Sequence, residues 1–198
     1  MPRPLHSSGI TLVELLIGVV LLAVLLGLAA PSFQSQLAAS QLTSATQALL
    51  GSLLQARAQA IRLGQRVTVC RSINQQQCDT GLSSGWETGW LTFIDADRAG
   101  NSSAQVSPGD TLLARSEGLP SALRVTGNSQ VSQFISFGAT GEARFMGGGT
   151  TVLGTIRVCS TSPALKDALR ARDLVLSTGG RLVSRETPAP VPATCPSP

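Results

Sequence analysis

The sequence predicts an α+β protein in which one long N-terminal helix packs on antiparallel β-sheets. Three observations carry this. From Ile10 to Ala30 the chain holds a single charge, Glu14. From Leu42 to Ala60 apolar residues recur every three or four positions, the period of a helix with one buried face. After Gly64 the pattern changes to short runs of β-branched and aromatic residues separated by Gly- and Ser-rich turns.

The apolar stretch comes first. At about 1.5 Å per residue it spans roughly the 30 Å of a bilayer core. A carboxylate near its start costs roughly 2.5 kcal/mol or more in hydrocarbon. A plain anchor has no use for that cost, so Glu14 needs a partner. Arg3 and His6 precede the stretch, which places the first residues in the cytoplasm and the rest across the membrane. A cleaved secretory signal is the competing reading. Leu28-Ala29-Ala30 partly suits it, but an acid at the head of the apolar core does not.

Gly9-Ile10-Thr11-Leu12-Val13-Glu14 resembles the class III signal of type IV pilins and type II secretion pseudopilins. Ile10 stands where Phe is usual. The resemblance implies cleavage between Gly9 and Ile10 by a prepilin peptidase, then N-methylation of Ile10. It also implies that Glu14 meets the new N-terminal amine of a neighbouring subunit in the filament, and that Pro31 kinks the helix. The expected parts are a leader (1–9), a transmembrane and filament-core helix (10–30), an amphipathic continuation (31–64) and a β-rich periplasmic domain (65–198). The location that follows is the bacterial inner membrane, crossed once.

In the second half of the helix, Leu42, Ala45, Leu49, Leu53, Ala56 and Ala60 form one apolar stripe. Gln41, Ser44, Gln47, Gln55 and Gln59 fall largely off it. Gly64 reads as the stop, with Arg62 in the last turn facing the negative end of the helix dipole. The expected helix runs from about Thr11 to Leu63. The strand candidates are Val67–Cys70, Trp90–Ile94, Thr111–Ala114, Leu123–Val125, Phe134–Phe137, Thr151–Cys159, Asp173–Leu176 and Arg181–Ser184. Gly179-Gly180 reads as a two-residue hairpin turn. Pro-rich sequence follows Thr187 and predicts an extended tail.

The four cysteines, Cys70, Cys78, Cys159 and Cys195, lack the spacing of zinc or thioredoxin sites. An even number in an exported domain reads as two disulfides, for which three connectivities exist. Cys70–Cys78 with Cys159–Cys195 is the favoured pairing, because it gives one short loop and one bond that pins the tail. The net charge of +4 comes from fourteen Arg and Lys166 against eleven acids. It permits contact with a polyanion without demanding it.

The run from Gly85 to Asp97 adds a second resemblance. Gly85-Trp86-Glu87-Thr88-Gly89-Trp90-Leu91-Thr92-Phe93-Ile94-Asp95 is similar to the Gly-Trp-x-x-Gly-Trp-x-x-Phe-x-Asp signature of the GspH/FimT family of minor pilins and pseudopilins. It implies a type IV pilin-like fold and a structural subunit that assembles with other pilins or pseudopilins. DNA-uptake members of that family carry Gly-Arg-x-Arg near the C terminus. Gly180 and Arg181 match, Val183 replaces the second Arg, and Arg185 stands two positions late. DNA is therefore the second candidate partner, with Arg157, Arg170 and Arg172 as extensions of a basic patch.

Other constellations read as structure. Trp86, Trp90 and Phe93 suit packing better than a stacking platform in so aromatic-poor a domain. Asp95-Ala96-Asp97-Arg98-Ala99-Gly100-Asn101 has Ala99 where a calcium loop wants a ligand, so an Asp-rich turn is expected. Gly147-Gly148-Gly149 has no following Lys-Ser/Thr. No metal site or cofactor is expected. The only His, His6, lies in the leader, and nothing in the rest supports catalysis.

Overall fold

The computed structural model describes residues 11–81, 84–96, 104–145 and 151–198, without the side chains of 28–31. Helix α1 spans Leu12–Leu63. The chain divides into two units, residues 1–37 and Ala38–Pro198.

In the first unit α1 begins at a Thr cap. Thr11 Oγ1 accepts the Glu14 N–H at 3.2 Å, and the Thr11 carbonyl accepts the Leu15 N–H at 3.1 Å. This satisfies donors that a helix start leaves open. The side chains from Leu12 to Leu26 are exposed throughout, Leu12 at 74%. The helix is long and apolar enough here to cross a membrane.

In the second unit α1 buries one stripe: Ala38, Leu42, Ala45, Leu49, Leu53, Ala56 and Ala60. Thr46 joins it, because its hydroxyl is paired with the Leu42 carbonyl at 2.7 Å one turn back. Gly64, at φ 65°, takes the left-handed conformation that ends the helix.

Among the described residues eight strands follow: β1 (Val67–Arg71), β2 (Trp90–Ile94), β3 (Thr111–Ser116), β4 (Leu123–Gly127), β5 (Phe134–Phe137), β6 (Gly154–Ser160), β7 (Ala171–Leu176) and β8 (Leu182–Glu186). They form two four-stranded sheets, ordered β3-β2-β1-β5 and β4-β6-β7-β8. Every pairing is antiparallel. Alternate residues of each sheet meet the helix stripe in one core: Val67, Val69, Ile135 and Phe137 from the first, Leu123, Val125, Ile156, Val158, Leu174 and Leu176 from the second. The other face of the first sheet holds a smaller cluster of Cys70, Leu91, Phe93, Ala104 and Phe134.

Trp86 and Trp90 both lie in the main core, so neither offers a stacking surface. The Trp86 indole N–H donates to the Val131 carbonyl at 3.0 Å. Asp95 is buried beside Thr68. Asp110 uses both carboxylate oxygens on the turn, accepting from the Ala96 N–H, the Ser107 N–H and the Ser107 hydroxyl. Residues 97–101 of the calcium-loop candidate and the Gly147-Gly148-Gly149 run lie outside the described residues.

Two sequence expectations need correction. The strand expected from Thr151 starts at Gly154. Thr151 bridges to Arg144, and the Val152 N–H donates to the Ala143 carbonyl, so these residues extend the first sheet before the chain joins the second. The connection at Gly179-Gly180 is a 3₁₀ turn, Thr178–Gly180, closed by the Ser177 N–H on the Arg181 carbonyl at 2.9 Å. Its last residue is pressed against another turn: a Cβ on Gly180 would fall 2.0 Å from the Gly141 carbonyl oxygen.

Two disulfides are present, Cys70–Cys78 and Cys159–Cys195, separated by 8 and 36 residues in sequence. Loop-closure entropy gives the first about 2.5 kcal/mol and the second about 4 kcal/mol. The first closes a loop wired from within. Arg71 donates to the carbonyls of Asp79, Gly81 and Ser84, and its Nε lies 3.5 Å from the Asp79 carboxylate. Burial pushes the Asp79 carboxyl up. The Ser84 hydroxyl, the Gly81 N–H and the Arg71 charge outweigh that and hold it below its ordinary value. The second disulfide straps the tail to the outer face of the second sheet, where Val191 and Cys195 pack on Cys159 and Ala171.

Two outcomes follow for the purified full chain in detergent. Gly180→Ala lowers the melting temperature further than Gly179→Ala. Both lose a left-handed conformation, at about 1–3 kcal/mol, but only position 180 also meets a backbone oxygen. Acid unfolding tests Asp79. A carboxyl depressed in the folded state contributes stability that is complete above its unfolded value of about 4 and lost as pH falls through the folded value. Asp79→Asn therefore lowers stability at neutral pH and flattens its loss at acid pH.

Candidate functional site

Two places carry residues with a candidate role. The first is the exposed start of α1. Glu14 is its sole charge, and the next along the chain is Arg57. Gly18, one turn on from Glu14, leaves a notch of open space bounded by Leu15, Val19 and Leu22. A carboxylate beside a notch, on an otherwise apolar helix, can receive a small cationic group while apolar side chains exclude water. Gly9 and Ile10 lie outside the described residues. Pro31 lies within the span of α1.

The second place is the turn and strand around Arg181 and Arg185. Both are exposed, four residues apart, and Val183 between them is 41% exposed. On β8, residues 183 and 185 share the outer face of the sheet, opposite buried Leu182. Neither arginine has a carboxylate partner among the described residues. Asp173, the cross-strand neighbour of Arg185, is taken by Arg157 in a two-point pair at 2.8 and 3.1 Å.

The proposed extensions of that patch are otherwise engaged. Arg157 is covered by the tail, and its Nη1 reaches the Pro196 carbonyl at 3.5 Å. Arg170 is buried and holds its own loop through Asp167 and the carbonyls of Ser160, Ser162 and Leu165. Arg172 lies on the inner face and pairs with Glu186 at 3.5 Å. A guanidinium shielded from water needs its donors satisfied, so Arg157 and Arg170 are held as structure, while Arg172 is half-buried and its charge is offset by the exposed Glu186.

Arg57 is the residue that sequence reasoning passed over. Its Nε donates to the Gly141 carbonyl at 2.9 Å and its Nη2 to the Gly179 carbonyl at 3.1 Å. One helical side chain thus fixes both glycine turns and the position of Arg181 beyond them. Nothing in the sequence marks it out, because Arg62 follows five residues later on the same helix.

No curated protein matches the chain. Among solved structures it is similar to the type IV minor pilin FimU of Pseudomonas aeruginosa PAO1, at 18% identity and a TM-score of 0.46, over 80% of this chain and 94% of that one. It is also similar to the minor pseudopilin EpsH of the Vibrio cholerae Type 2 Secretion System, at 11% identity and a TM-score of 0.46, over 75% of this chain and 99% of that one. The profile of the family described as "Type II transport protein GspH" matches residues 45–180, from the amphipathic half of α1 to the Gly180 turn. The chain belongs to the GspH family, whose members are structural subunits and not enzymes.

Proposed function

We propose that this chain is a minor pilin or pseudopilin, anchored in the bacterial inner membrane, that helps a type II secretion pseudopilus or a type IV pilus to initiate and assemble. The observation that carries the reading is Glu14, the lone charge in the exposed apolar start of α1. A prepilin peptidase cuts between Gly9 and Ile10, and the new amine of Ile10 is methylated. In a bundle of such helices the Glu14 carboxylate neutralises the amine of an adjoining subunit. The pair forms in one axial register, so it sets both recruitment and stagger. Pro31 lets the helix bend between its membrane and domain halves.

Two measurements check this. N-terminal mass spectrometry of the mature protein gives methylated Ile10 as the first residue; a start near Pro31 refutes the processing. Glu14→Ala leaves the protein in the membrane at normal abundance and strongly reduces its recovery in sheared filaments. Normal incorporation of that variant removes the role assigned to the carboxylate.

A second reading is favoured by the two arginines that no carboxylate occupies. Arg181 and Arg185 contact DNA phosphates, which makes the subunit part of a DNA-uptake pilus. Binding of duplex DNA to the purified full chain weakens steeply with salt in a gel shift, and Arg181→Ala with Arg185→Ala reduces the salt slope by about 2. No shift at low salt ends this reading.

A further inference from the structure

We propose that Arg57 is the positioning residue of the polyanion site at Arg181 and Arg185, and that it acts by fixing the turn from which Arg181 projects. This rests on the DNA reading above. The two exposed arginines are held by different means. Arg185 lies within β8, where the ladder to β7 sets it opposite Asp173. Arg181 precedes β8 and caps the 3₁₀ turn, so no strand pairing places it.

That turn has little of its own to rest on. A Cβ at Gly179 would meet nothing within 4 Å, so its outer side is open. Its internal bonds are local. The Gly180 N–H donates to the Ser177 carbonyl at 3.1 Å, and the Ser177 hydroxyl donates to the Arg181 carbonyl at 3.1 Å. What ties it to the rest of the domain is a junction of three elements. The Gly180 backbone is pressed on the Gly141 carbonyl, which is the acceptor of Arg57 Nε. Arg57 Nη2 reaches on to the Gly179 carbonyl. The turn at Gly141 is itself seated on α1, because a Cβ there would fall 2.7 Å from Ile61 Cδ1 and 3.2 Å from Arg57 Nε. A planar guanidinium donates from two nitrogens in a fixed geometry, so one side chain locks both turns to the helix.

The ligand gives this lock its use. Arg181 and Arg185 are four residues apart on extended chain, which separates their backbones by about 13 Å. Two cations at a fixed spacing meet two phosphates without having to be ordered at the moment of binding. A turn free to shift would leave Arg185 in place on its strand and Arg181 without a defined position.

The test uses the purified full chain in detergent and a short duplex DNA, and reads the salt slope of binding for single and double variants. No shift at low salt with the unaltered chain ends the DNA reading, and the inference falls with it. Where the unaltered chain binds, Arg57→Gln comes first. Its amide is long enough for the Gly141 carbonyl and too short for Gly179. It is expected to reduce the slope by about 1. Adding Arg181→Ala then changes the slope no further, whereas adding Arg185→Ala reduces it by about 1 again. Independent reductions for Arg57 and Arg181 make Arg57 a contact in its own right and overturn the inference. A melting temperature that falls while the slope stays overturns it as well. Arg57→Lys, which keeps the charge, is measured alongside, with amide hydrogen exchange across 178–181 in every protein. Protection of that turn and the share of the slope due to Arg181 change together in both variants; either one changing alone overturns the proposal.

Discussion

The aliphatic stripe of α1 from Ala38 to Ala60 is the contact on which the domain depends. Each four-stranded sheet has one face of Val, Ile, Leu and Phe that it cannot cover alone. The helix lies against both, so a single element supplies the missing wall of two layers. Leu49, Leu53, Ala56 and Ala60 are fully buried there. The small residues set how near the backbone of the helix comes, and the leucines fill the space between the layers. Removing a leucine side chain here would leave a cavity bounded by two sheets at once.

Much of this was legible in the sequence. The six stripe residues were readable from their spacing because a helix half-buried on one side writes its period directly into the chain. The strands were readable in number, and less so in extent. Thr151 misled because residues 151–152 do pair, but with the first sheet; propensity marks an extended backbone without naming its neighbour. The glycine turn misled for a similar reason. Gly179-Gly180 looks like the shortest hairpin, yet Gly180 answers to a crowded oxygen on Gly141, which is remote in sequence.

The candidate sites divide along the same line. Glu14 stands out in the sequence because a lone charge in an apolar run is anomalous wherever the chain folds. The basic patch did not survive folding at full size. Arg157, Arg170 and Arg172 are indistinguishable from Arg181 and Arg185 as letters, but carbonyls and carboxylates brought close by folding occupy the first three. Arg57 illustrates the converse. It is silent beside the larger features around it, and it joins the helix to two turns at residues 141 and 179.

The strap across the second sheet has a bearing on how the molecule matures. Cys195 follows its partner Cys159 by 36 residues, and Cys159 sits on β6 in the middle of a sheet. Cys70 and Cys78 both leave the ribosome, and cross any membrane, while most of the β-rich half is still to follow. Oxidation therefore has a built-in order. The small loop can be sealed early, and the strap can be sealed only once Cys195, 36 residues beyond Cys159, has been delivered. A chain that stops before Cys195 would carry an unpaired thiol on Cys159, a visible mark of incomplete synthesis.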